Sequence, residues 1–160
     1  MARSMARAAA MQLAYEKLMG GSGEDTLDAL IAFTPEGDDQ AYIDRVLAGV
    51  AEHADALDEL IARYSPSREI GRIARVDLCI LRVALYEMRY DSDTPESVVI
   101  NEAVELAKRF SEPSSARFIN GVLGAISRGE KEETTETPLS CWALTQAVIR
   151  PLWRRRTRRA

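Results

Sequence analysis

The chain has 160 residues, 46% of them hydrophobic, 6% aromatic and 29% charged, with a formal net charge of −4. That suffices for one domain with a sizeable core and is too little for two of ordinary size. Two cysteines outside any paired spacing (Cys79, Cys141) exclude a disulfide scaffold or zinc module, and one histidine, His53, excludes a His-based metal cluster or catalytic triad.

Helix-forming residues fill 3–19, where Met11, Leu13, Ala14 and Leu18 make an apolar face and Gly20, Gly21 and Gly23 stop the helix. A short helix is predicted over 24–33, with Leu27, Leu30 and Ile31 on one side. After the turn Thr34-Pro35-Glu36-Gly37, Asp38 or Asp39 is placed to cap one long helix reaching Tyr64. Its stripe is Ile43, Val46, Leu47, Val50, Ala54, Leu57, Leu60 and Ile61, and Ser65-Pro66-Ser67 closes it. Ser67 is placed to cap a short helix with Ile70 and Ile73. Residues 76–90 are apolar around most of a helix, the pattern of a central buried element. Pro95, capped by Thr94, suits the first position of a helix to about Phe110, and a last helix is predicted over 115–127. Strand alternation is missing throughout. The expectation is an all-α domain over 1–130, with about seven helices in two sub-bundles meeting near Pro66. Residues 131–160 then form a flexible tail, disordered or weakly helical, with a polar linker to Pro138, a moderately apolar stretch holding both tryptophans and a basic end.

Charge is unevenly spread. Residues 1–130 hold 14 basic against 22 acidic groups, −8, and residues 131–160 hold 7 against 3, +4. An acidic body argues against a simple polyanion binder. No apolar run reaches transmembrane length, and Arg3, Arg7 and Gln12 interrupt any secretory signal at the start, so a reducing cytoplasm fits.

The residues offer no enzyme constellation, cofactor loop or metal site. Gly20-Gly21-Ser22-Gly23 lacks the lysine and preceding strand of a phosphate loop. Cys79 reads as a small packing residue, and His53 falls on the polar side of its helix. Two stretches are less generic. Arg3 and Arg7, four residues apart, share a helix face with no acid nearby in sequence until Glu16. Cations at a helix start oppose the macrodipole, so phosphate binding explains them better than stability does, with a solubilising terminus as the bland alternative. Arg117 beside Phe118 puts a cation next to an aromatic plane, a pairing suited to single-stranded RNA; the bland alternative is Phe118 in the core and Arg117 at the surface. Asn101 and Asn120 suggest polar packing between neighbouring helices, and Gly121 suggests a close helix approach.

Taken in order, ARAAAMQLAY (6–15), ILRVALYEM (80–88), TPESVVINEAVELAKRF (94–110) and RFINGVL (117–123) resemble the NusB family of bacterial transcription antitermination factors. The resemblance covers residues 3–129. It implies a non-catalytic adaptor that pairs with the ribosomal protein NusE on single-stranded boxA RNA. That pair joins other Nus factors on RNA polymerase and promotes ribosomal-RNA transcription. It places Arg3 and Arg7 in the basic leader, Arg117 and Phe118 on the RNA path, and Tyr15, Glu87 and Gln12 toward the protein partner. Ser4 and Met5 stand where many relatives carry arginine. Some relatives form a homodimer through the RNA-facing surface, so a self-associating module is a second reading. A third is the similar front domain of a ribosomal-RNA cytosine methyltransferase, whose catalytic domain is expected after it and has no counterpart before Ala160.

Overall fold

Local helix preference and apolar spacing act together along the chain. The computed structural model describes residues 2–21, 37–65, 68–91 and 93–135, with side chains described over 3–129 within those stretches. The described residues form six α-helices, α1 (Ala2–Leu18), α2 (Asp38–Glu52), α3 (Ala54–Tyr64), α4 (Arg75–Tyr90), α5 (Glu96–Phe110) and α6 (Ser115–Thr135), and one 3₁₀ turn at Ile70–Arg72. They contain no strand, as expected. The helix expected over 24–33, the Pro66-Ser67 corner and residues 136–160 of the tail lie outside the described residues. The chain divides into a unit of residues 1–127 and a second of 128–160.

Within the first unit α4 is the axis. It packs against α1, α2 and α3 on one side and α5 on another. Ten of its side chains are buried, among them Leu78, Ile80, Leu81, Val83 and Leu85. Each fully buried Leu or Ile stabilises the fold by about 1.5–3 kcal/mol. Because α4 packs against helices from both halves of the chain, residues 1–127 form one compact unit. Around it α6 contributes Ile119, Leu123 and Ile126, and α5 contributes Val99, Ala103 and Ala107. The alanines of α1, Ala6 and Ala8 to Ala10, are also buried, their small side chains suiting close approach.

Several local expectations are corrected. The long helix predicted from 40 to 64 breaks at His53, whose φ of −104° and ψ of 15° leave the helical region. His53 is half-buried, not at the polar surface, and its ring stacks on Tyr90 with centroids 4.2 Å apart. Gly37, at φ +54°, is the N-cap of α2, and Asp38 and Asp39 fall in the first turn. Pro95 is itself the N-cap of α5, and Thr94 makes no capping bond. Helix α6 runs on to Thr135 because Glu130, Lys131, Glu132 and Glu133 are good helix formers. Cys79 does pack in the core, where burial pushes its thiol up to about 11, so it stays protonated at neutral pH. Between α3 and α4, Arg82 forms a two-pronged bond to Asp58, at 2.8 and 2.7 Å.

Gly49 marks the closest approach of α2 to α4. A Cβ there would lie 2.0 Å from the Tyr86 ring, which is itself packed against His53 and Tyr90. We expect Gly49→Ala to cost about 1–3 kcal/mol by overpacking, visible as a lower urea midpoint, despite alanine's better helix preference. An unchanged midpoint would mean that the ring swings aside freely.

Candidate nucleic-acid interface

The polar residues singled out in the sequence fall into two groups. The first is buried. Arg7, 5% exposed, directs its Nε at both carboxylate oxygens of Glu87, each at 3.0 Å. Its other nitrogens reach Thr94 Oγ1 at 3.5 Å and Glu102 Oε2 at 3.7 Å. Burial opposes the charge on Arg7, but the hydrogen bonds and charge of Glu87 outweigh it and hold the guanidinium pKa above its ordinary value. Tyr42 lies against this pair. Its buried hydroxyl has no aligned hydrogen bond, and burial, then the Glu87 charge, push its phenol well above the usual range.

This geometry corrects two expectations at once. Arg7, expected on an RNA-facing surface, and Glu87, expected on a partner-facing one, neutralise each other inside the fold. The acid that Arg7 lacks locally stands 80 positions later in the chain. Arg3 remains at the surface, with its side chain 42% exposed. Its guanidinium lies 4.5 Å from the centre of the Tyr42 ring and 3.5 Å from Asp39 Oδ1. Tyr15 is half-buried against the core. Gln12 is half-buried too, and its Oε1 is buried without a hydrogen bond.

The second group is exposed and sits at the start of α6. Arg117 is solvent-exposed, and its side chain forms no ion pair or hydrogen bond among the described residues. Phe118 is half-buried, with the Arg68 guanidinium 4.5 Å from its ring centre. A buried acid fixes this helix start. Asp77, 1% exposed in the first turn of α4, accepts hydrogen bonds from the hydroxyls of Ser111, at the end of α5, and Ser115, at the start of α6. Thus one carboxylate ties together the three elements that converge on Arg117 and Phe118. Asp77, Arg68 and Tyr42 were not singled out from the sequence. An acid inside an apolar helical run is the sequence signal for Asp77.

Asn101 and Asn120 are exposed, so polar packing between buried helix faces does not account for them. They line an open cleft of about 540 Å³ between α5 and α6, together with Arg117. Gly121 is exposed and no atom lies within 4 Å of where its Cβ would be, so no close helix approach requires it. The described residues hold no group of three or more His, Cys, Asp or Glu side chains placed to bind a metal, and no helix long and apolar enough to cross a membrane.

Comparison with known proteins matches residues 4–128 to the model of the NusB family. The transcription antitermination protein NusB of Dehalococcoides mccartyi is 41% identical over 128 residues, covering 79% of this chain and 90% of that protein. The chain belongs to the NusB family. It thereby joins a family of non-catalytic transcription antitermination factors. Among solved structures, T. maritima NusB superimposes with a TM-score of 0.69 at 29% identity, covering 79% of this chain and 90% of that one. A crystal structure of the antitermination factors NusB and NusE in complex with dsRNA shares the fold, with a TM-score of 0.68 at 22% identity over 80% of this chain and 97% of that one.

The buried pair generates a stability prediction. Arg7→Ala leaves Glu87 without its partner in the core and should destabilise the fold by about 3–5 kcal/mol in denaturant unfolding. The double variant Arg7→Met, Glu87→Leu should recover most of that loss, because no lone buried charge remains. Equal destabilisation by the single and double variants would contradict this account of the pair.

Proposed function

We propose that this NusB-family chain is an RNA-binding adaptor that engages single-stranded boxA-type RNA together with NusE and supports transcription through ribosomal-RNA leaders. The observation that carries this reading is the start of α6, where Arg117 is exposed with no ion pair among the described residues, next in sequence to the half-buried Phe118, on a helix end fixed by Asp77. Cation and ring together offer a phosphate contact and a stacking surface, the combination that single-stranded RNA requires. Arg68, over the Phe118 ring, adds a second cation to that patch. Arg3 is the member of the basic leader that remains accessible, and it supplies a further phosphate contact. Arg7 acts indirectly, by holding α1 in place. Tyr15 and Gln12 on α1 are assigned to the NusE-facing side. The relatives' role in antitermination and the NusB–NusE–RNA complex with the same fold support this reading. Association with other Nus factors and RNA polymerase would follow in the bacterial cytoplasm.

A fluorescence titration of the full chain with a short boxA-type RNA, with and without NusE, tests it. The wild type should bind saturably and in a sequence-dependent way when NusE is present. Arg117→Ala should lower the log–log salt slope by roughly 0.7, the value for one phosphate contact on a single strand. Phe118→Leu keeps an apolar residue against the core and should lose about 1–3 kcal/mol of binding as the stacking plane disappears. Absence of saturable binding in both titrations would overturn the adaptor reading, and unchanged binding in both variants would move the RNA surface away from α6.

A further inference from the structure

The cleft between α5 and α6 goes beyond the Arg117–Phe118 patch. Its walls carry Ser97 and Asn101 on α5 and Arg117 and Asn120 on α6, over an aliphatic floor of Ile100, Val104 and Ala116. Asparagine inside a helix costs several tenths of a kcal/mol against alanine, and a buried hydrogen bond commonly offsets that cost. Neither asparagine has one. Both are exposed, and the side chains of Asn101, Asn120 and Arg117 make no hydrogen bond or ion pair among the described residues. Their donors and acceptors are therefore open to a ligand.

Local charge indicates what kind of ligand fits. The carboxylates of α5 each have a protein partner: Glu96 accepts from Ser127, Glu102 lies by Arg7, and Glu105 pairs with Lys108. Arg117 is a cation at the cleft's edge with no ion pair among the described residues, and it favours an anion there. An amide presents one donor and one acceptor side by side. That pattern matches a base edge with an adjacent donor and acceptor, and adenine is the base that asparagine reads with two bonds. An aliphatic floor suits the flat face of a base, and a cleft of about 540 Å³ has room for one.

We propose that the α5–α6 cleft seats one unpaired adenine of the bound RNA, read by Asn101 and Asn120, with Arg117 holding its phosphate. This rests on the RNA-binding reading above and adds a base-selecting site to it. Affinity and sequence choice are thereby divided between different residues of one surface.

The test is a set of titrations, with NusE present, of a boxA-type RNA and versions in which each adenine in turn is replaced by another base. Wild type should show one adenine whose replacement weakens binding about tenfold or more. In Asn101→Ala and Asn120→Ala that ratio should fall toward one while the salt slope stays unchanged. Arg117→Ala should do the reverse, reducing the salt slope and keeping the base preference. Both asparagine substitutions favour helix, so folding is preserved. A preference that survives in both asparagine variants overturns the proposal while leaving RNA binding itself intact. Asparagine variants that lose NusE binding but keep the preference also overturn it, and assign the cleft to the protein partner. If wild type binds no RNA, the adaptor reading fails and the cleft proposal fails with it.

Discussion

Arg7 on α1 and Glu87 on α4 meet inside the fold, where neither charge would survive alone. Removing two ions from water carries a penalty of several kcal/mol each, and only close geometry with further hydrogen bonds offsets it. Here the guanidinium lies 3.0 Å from both carboxylate oxygens, with Thr94 and Glu102 nearby. Three helices thus have one relative placement that keeps every charge paired: α1 carries Arg7, α4 carries Glu87 and α5 carries Glu102. The apolar core supplies most of the stability. The ion pair restricts which packing of that core is acceptable, since a turn of α1 about its axis would strand both charges.

Function depends on that placement at one remove. Helix α4 holds Glu87 near one end and Asp77 near the other. Glu87 fixes α1, and Asp77 fixes the junction of α5 with α6 through Ser111 and Ser115. The exposed groups that suit RNA then sit on a frame whose own charges are used internally. On the proposed reading, a body of −8 can still offer RNA a local cation. Many of its acids are engaged with its own arginines, as in Arg7–Glu87, Arg45–Asp91 and Arg82–Asp58, while Arg117 has no ion pair among the described residues. Net charge is a poor guide to such a surface, and the pairing of individual charges is a better one.

Fold class was legible because helical periodicity is a local signal, and the buried axis could be read from the apolar density of 76–90. The site was legible only in part. Arg117 and Phe118 are adjacent in sequence, so both are legible there, whereas Arg68, the cation over the Phe118 ring, comes from elsewhere in the chain. Arg7 was misplaced for the opposite reason: its partner lies 80 positions away, and a cation without local acid looks the same whether it faces solvent or a distant carboxylate. Asn101 and Asn120 failed similarly, because helix-interior asparagines fit either a buried bond or an exposed ligand site, and only burial separates the two. The break at His53 coincides with ring stacking on Tyr90, another contact between positions distant in sequence.

Arg7 belongs to the frame, and Arg117 is the residue proposed for the RNA surface. Arginine Nε–Hε resonances in a ¹⁵N–¹H spectrum report each guanidinium separately. On addition of boxA-type RNA and NusE, the Arg117 signal should shift while the Arg7 signal, protected by its carboxylate, stays in place. A shifted Arg7 signal beside an unmoved Arg117 would contradict the account.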